Sequence, residues 1–166
     1  MQADLRSVQD AFFMAMAGGW AQDARKIQVP ELPGSKGVPF VWGDFRILDC
    51  YLVTTYSERS AGMTVIWCHD QPVWVMYYGG WYAKVAIPFL KSCLQRAYVY
   101  EHRFYGGRGP VFVRDERFTY VNKIERNDFS DFAGEERVFD LNELCLGYHW
   151  YRGMSLLNQQ SIHQTS

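Results

Sequence analysis

Between Asp4 and Ala17 the apolar residues Leu5, Val8, Phe12, Ala15 and Met16 return every three or four positions, with Arg6, Gln9 and Asp10 on the other side. This spacing predicts an amphipathic helix over residues 4–17. Asp4 is placed to accept backbone N–H bonds at its start, and Gly18-Gly19 offers a left-handed residue to end it. Residues 22–37 lose the periodicity and carry Pro30, Pro33, Gly34 and Gly37, which predicts a long surface loop of the kind often found over functional sites. From Val38 the period falls to two. Residues 38–42, 45–56, 63–68 and 73–78 are rich in β-branched and aromatic side chains and read as strands, with the turn 69–72 closing the last two into a hairpin. Ile87, Leu90, Leu94 and Ala97 restore helical spacing behind Pro88, predicting a second helix over 87–97. Further strands are expected near 111–114, 117–124, 135–140 and 144–151.

An internal echo joins two of these stretches. Gly62, Ile66, Trp67 and Asp70 align with Gly134, Val138, Phe139 and Asn142; after one inserted residue, Tyr77, Tyr78 and Gly80 align with Trp150, Tyr151 and Gly153. The pattern describes two similar β-hairpins, each ending in an aromatic pair and a glycine that turns sharply or admits a close neighbour. An isolated hairpin is marginal in water, so each is expected in a larger sheet covered by the helices. The predicted class is α+β: an antiparallel sheet with two similar hairpins, packed by an N-terminal and a central helix. One domain over residues 1–157, followed by a flexible polar tail over 158–166, accounts for the chain.

Composition narrows the function classes. With 166 residues and 48% hydrophobic positions the chain can fill one core, and the 11 Phe, 6 Trp and 11 Tyr require aromatic rings throughout it. A net charge of −1 provides no global field toward nucleic acid or membrane. Charge is nevertheless segregated: six bases and one acid lie between Tyr82 and Arg114, nine acids and four bases between Asp115 and Glu143. Either the two segments fold against each other or the first offers an anion-binding face. The apolar run 11–17 lacks the basic start and cleavage site of a signal peptide, and no stretch reaches the length of a membrane span, so a cytoplasmic protein is expected. Cys50, Cys68, Cys93 and Cys145 lack the spacing of a zinc site and read as free, mostly buried thiols.

Several strings together carry a resemblance: Pro72-Val73-Trp74-Val75-Met76-Tyr77-Tyr78-Gly79-Gly80, Phe89-Leu90-Lys91 with Leu94, Arg108-Gly109-Pro110, Phe132-Ala133-Gly134-Glu135-Glu136 and Tyr148 to Gly153. The chain from about Cys50 to Leu156 resembles the prokaryotic domain-of-unknown-function family DUF5680, whose domain stands alone or is fused to helix-turn-helix regulators. The resemblance implies regulation or sensing and supplies no activity. The N-terminal helix here stands without the helical array of a DNA-binding module, so DNA binding is not implied.

The candidate chemistry is sparse. His69, His102 and His149 are the candidate bases or ligands, and none stands at the spacing of a metal pair, so no metal and no cofactor is expected. His149 lies in a strand, where a buried imidazole needs a partner. Asp44, Asp49, Glu135 and Glu136 supply carboxylates; the adjacent Glu135 and Glu136 must face opposite ways, and an inward one would be paired or shifted in pKa. The loop Gly106-Gly107-Arg108-Gly109-Pro110 is either a plain turn or an anion loop with Arg108 as a two-pronged donor. The leading expectation is a noncatalytic binding or regulatory module whose aromatic cleft is built from Trp74, Tyr78, Arg108, Glu135, His149, Tyr151 and Arg152. Its partner would be a small-molecule or anionic ligand, or a second copy through an exposed aromatic face. The alternative is an enzyme using His149 or His69 with a carboxylate such as Glu135 for acid–base chemistry.

Overall fold

The computed structural model describes residues 3–19 and 24–158. Its class is α+β: two helices and one antiparallel eight-stranded sheet. Helix α1 spans Leu5–Gly18, and β1 to β4 span Ser35–Trp42, Phe45–Val53, Arg59–Cys68 and Gln71–Tyr82. Helix α2 spans Ile87–Gln95 and runs on as a π turn over Arg96–Tyr100; β5 to β8 span Phe112–Arg114, Phe118–Asp128, Asp131–Asp140 and Cys145–Ser155. The strand order β1-β2-β3-β4-β8-β7-β6-β5 is that of two four-stranded meanders joined through their last strands.

The local causes follow the sequence closely. Asp4 caps α1 by accepting from the Ser7 amide at 2.9 Å, and Pro88 occupies the first turn of α2, where no N–H is needed. The end of α1 differs from expectation: Gly19 sits at φ −95° rather than in the left-handed region, and it is required because a Cβ there would stand 2.7 Å from the Ala15 carbonyl oxygen. The expected loop over 22–37 gives its last residues to β1, because Gly37 pairs with Cys50 and bridges to Ile27; residues 20–23 lie outside the described residues, as do 159–166 of the expected tail. His69 and Asp70, both at positive φ, make a two-residue turn between β3 and β4 that matches the right-handed strand twist. Cys50, Cys68 and Cys93 are buried and Cys145 is half-buried, all as free thiols.

Strand β4 pairs with β8 so that Tyr78 faces Tyr151, Gly80 faces His149 and Met76 faces Gly153. Gly80 and Gly153 thus lie inside strands, and each admits a neighbour: a Cβ on Gly80 would collide with the Tyr148 carbonyl, and one on Gly153 with the Phe132 ring. The core runs across this seam. Phe12 of α1 packs against Trp74, Tyr98, Phe104 and Phe129, and Trp74 stacks between Phe129 and Phe132 with ring centroids at 5.1 Å from each. Each ring so buried contributes about 1.5–3 kcal/mol. One helix thereby ties both meanders together.

Candidate functional site: a cavity with a polar floor

Alternation along the strands decides what faces inward. Ile47, Asp49 and Tyr51 of β2, Thr64 of β3, Met76, Tyr78 and Tyr82 of β4 and His149 of β8 point to the helix-bearing side, where a cavity of about 370 Å³ lies between them, α1 and α2. Its wall is apolar, built from Ile47 and Met76 of the sheet with Leu90 and Leu94 of α2. Its floor is polar, with Asp49, Tyr78, Tyr82, Arg108 and His149 converging there.

Beneath this floor Glu136 is fully buried and accepts hydrogen bonds from four donors. Arg108 Nε donates to Oε1 at 2.9 Å and Arg108 Nη2 to the same oxygen; the Tyr82 hydroxyl donates to Oε1 at 2.6 Å and the Tyr120 hydroxyl to Oε2 at 2.5 Å. Burial alone would raise the Glu136 carboxyl, but Arg108 and the hydroxyl bonds bring it below its ordinary value, so the pair stays ionised. Removing one member of such a buried pair costs about 3–5 kcal/mol, because the other charge is left without compensation. A second unit stands beside it. The Tyr78 hydroxyl and Thr64 Oγ1 both donate to Asp49 Oδ1, at 2.6 and 2.9 Å. Burial raises the Asp49 carboxyl, with the two hydrogen bonds and Arg108 opposing.

His149 has no such partner. It is 7% exposed, its ring lies 4.6 Å from that of Tyr82 and 5.9 Å from that of Tyr78, and neither ring nitrogen has a hydrogen bond. Burial, with Arg108 adding to it and Glu136 opposing, lowers its pKa to about 3, so the ring is neutral at physiological pH. A neutral imidazole offers one donor and one acceptor. Neither has a partner, and although the ring borders the cavity both nitrogens are closed off from solvent.

Of the residues singled out from the sequence, Tyr78, Arg108 and His149 meet at the cavity, and four others do not. Trp74 is core, its indole N–H donating to the Phe129 carbonyl at 2.9 Å. Tyr151 is buried beyond the floor and donates to Asn122 Oδ1 at 2.6 Å. Glu135 and Arg152 fall on the opposite face for the same reason: a strand sends neighbours to opposite sides, so an inward Glu136 puts Glu135 outward against Arg137, and an inward His149 puts Arg152 outward. Tyr77 and Trp150 lie exposed on that outer face as well. His69 lies on the exposed turn, 3.6 Å from Asp44, and the His102 ring rests on Phe13 outside the cavity lining.

The glycine loop has a structural task. A Cβ on Gly106 would meet Tyr151, on Gly107 Met76, and on Gly109 the Tyr120 hydroxyl, so only glycines let the loop press this close to the sheet. The Gly106 amide donates to Asn127 and the Gly109 amide to Tyr120. These amides are used within the fold, and the loop delivers Arg108 to Glu136 instead of exposing an anion cradle. Tyr82 and Thr64 complete the floor without having been singled out from the sequence, and Asp49, named there only among the candidate carboxylates and not in the cleft, joins them. A signal was present for two of them: Asp49 is a charged residue at an inward position of a period-two strand, and Tyr82 shares the parity of Tyr78.

The model of the family described as domain of unknown function (DUF5680) matches residues 50–155. The chain belongs to this family. The DUF5680 match takes in Thr64, Tyr78, Tyr82, Arg108, Glu136 and His149, whereas α1 and β1, which close one side of the cavity, precede it. No curated protein and no solved structure matches the chain. Among the described residues no helix is long and apolar enough to cross a membrane, and no three His, Cys, Asp or Glu side chains gather in a way that would hold a metal ion.

Proposed function

We propose that the protein is a noncatalytic small-molecule-binding module whose ligand occupies the cavity over Asp49, Tyr78 and His149. The observation that carries this reading is the unpartnered His149 imidazole beside an apolar hollow of ligand size, since a few convergent polar groups in a largely apolar concavity are what small-molecule sites share. A buried donor and acceptor without partners cost stability unless something else meets them. Acid–base catalysis is the weaker reading: His149 bonds to no carboxylate, and an imidazole whose pKa lies near 3 is a poor base at neutral pH.

The same reading takes the two hairpins as copies of one unit, each packed by a helix. Supporting it, Gly62 faces Tyr78 and Gly134 faces Tyr151, and each tyrosine hydroxyl reaches one strand further, to Asp49 or to Asn122. Asp49 in turn faces Thr64, and Asn122 faces Glu136. In one copy this arrangement borders a hollow; in the other the 101–110 loop fills the corresponding place. The hollow then lies on the N-terminal copy, with Arg108 and His149 reaching it from the C-terminal half.

The experiment is a titration with the neutral fluorescent dye N-phenyl-1-naphthylamine. One dye should bind per chain, and Ile87→Trp, which fills the cavity from α2, should abolish binding while the protein stays folded by circular dichroism. Absence of dye binding, or equal binding by a folded Ile87→Trp protein, would overturn the cavity reading.

A further inference from the structure

The cavity is asymmetric from floor to rim. At the floor every charge is already answered: Arg108 pairs with Glu136, and Asp49 accepts from Tyr78 and Thr64. A ligand carboxylate brought there would face two carboxylates, and a ligand cation would face Arg108. The unanswered groups are the two uncharged nitrogens of His149. A small turn of the ring brings one of them to the cavity, where it suits a hydroxyl or another uncharged group that accepts from the N–H or donates to the bare nitrogen. At the rim the balance reverses. Lys26, Lys36, Arg59 and Lys84 line the mouth as exposed cations, with Glu58 as the acid among them. Cations grouped around the mouth of a low-dielectric hollow attract an anion and orient it on entry. Between the ends, Ile47, Met76, Leu90 and Leu94 require an apolar body.

Resting on the cavity reading above, we infer that the ligand is an amphipathic anion held in one direction: an uncharged hydroxyl-like group at His149, an apolar or aromatic body across the middle, and a carboxylate or comparable anion at the lysine rim. The two ends do different work. The buried end selects by hydrogen bonding, since an analogue lacking the hydroxyl leaves His149 unpaired, while the rim end sets orientation and responds to salt.

Three probes test this by isothermal titration calorimetry on the intact chain: 3-(4-hydroxyphenyl)propanoate, which has both ends; 3-phenylpropanoate, which lacks the hydroxyl; and 4-propylphenol, which lacks the anion. The first should bind about tenfold more tightly than the second, the worth of one buried hydrogen bond, and about fivefold more tightly than the third, the worth of exposed ion contacts. The double variant Lys36→Gln/Lys84→Gln should weaken the two acids and leave 4-propylphenol unchanged, and His149→Phe should weaken both phenols and leave 3-phenylpropanoate unchanged. Equal affinity of the first and third probes in the native protein, with no effect of salt, overturns the anionic end. Equal affinity of the first and second overturns the hydroxyl end. If the neutral dye binds and none of the three does, this inference fails while the cavity reading stands; if the dye fails too, both fall together.

Discussion

His149 shows how much one residue can decide. It lies between Tyr78 and Tyr82, with Arg108 and Glu136 as its charged neighbours and Asp49 close by around Arg108. Its pKa is about 3 in the folded chain against 6.5 for an unperturbed imidazole. Between those values the unfolded chain binds the extra proton, so stability falls as the pH is lowered, at up to about 1.4 kcal/mol per pH unit. Glu136, lowered from 4.5, adds to this loss below its ordinary value; Asp49, raised from 3.8, acts with the opposite sign above its own. In His149→Phe the loss between pH 6.5 and 4.5 should disappear from urea titrations. The same variant should gain about 1 kcal/mol at pH 7, because two unpaired buried polar atoms are gone. A native-like pH profile in that variant would show that the imidazole is not the titrating group.

At the scale of the elements, β4 and β8 hold the molecule together, and their pairing depends on missing side chains. Gly80 has φ +155° and no room for a Cβ against the Tyr148 carbonyl. Gly80→Ala should therefore cost about 2 kcal/mol or more, by strain together with loss of local pairing. Gly43 is the control, since it also has positive φ, at +56°, but nothing within 4 Å of a Cβ. Its replacement by alanine should cost only the conformational term, about 1 kcal/mol. Equal losses in the two variants, measured by thermal unfolding, would show that the close approach of β4 and β8 does not govern stability. Helix and strand positions were legible in the sequence because period and capping are local properties. Several strands nevertheless run further than their patterns, among them β4 to Tyr82 and β8 to Ser155, because ladder pairing extends them past the β-branched runs. By contrast β2 stops at Val53, short of the expected 45–56, where its pairing with β3 ends.

For the whole molecule, the aromatic core crosses from one meander to the other through Phe12, Trp74, Phe129 and Phe132, so the two halves should not unfold separately. Phe12→Ala should cost about 3–5 kcal/mol and shift tryptophan fluorescence and far-ultraviolet circular dichroism together in one transition. Two separated transitions would show that the meanders are independent units. The sequence by itself determined the α+β class, the two helices, most of the strands and the family, since these rest on short-range periodicity and on strings of neighbouring residues. It also required Glu135 and Glu136 to diverge, because pleating alone imposes that. The tertiary structure decided which of the two faces inward, and it placed Asp49, 100 residues from His149 in the chain, at the floor of the same hollow. It put Arg108 on Glu136 and closed a cavity between helix and sheet. Those outcomes depend on strand order and on the depth to which a glycine loop can press, and neither is written in the spacing of residues along the chain.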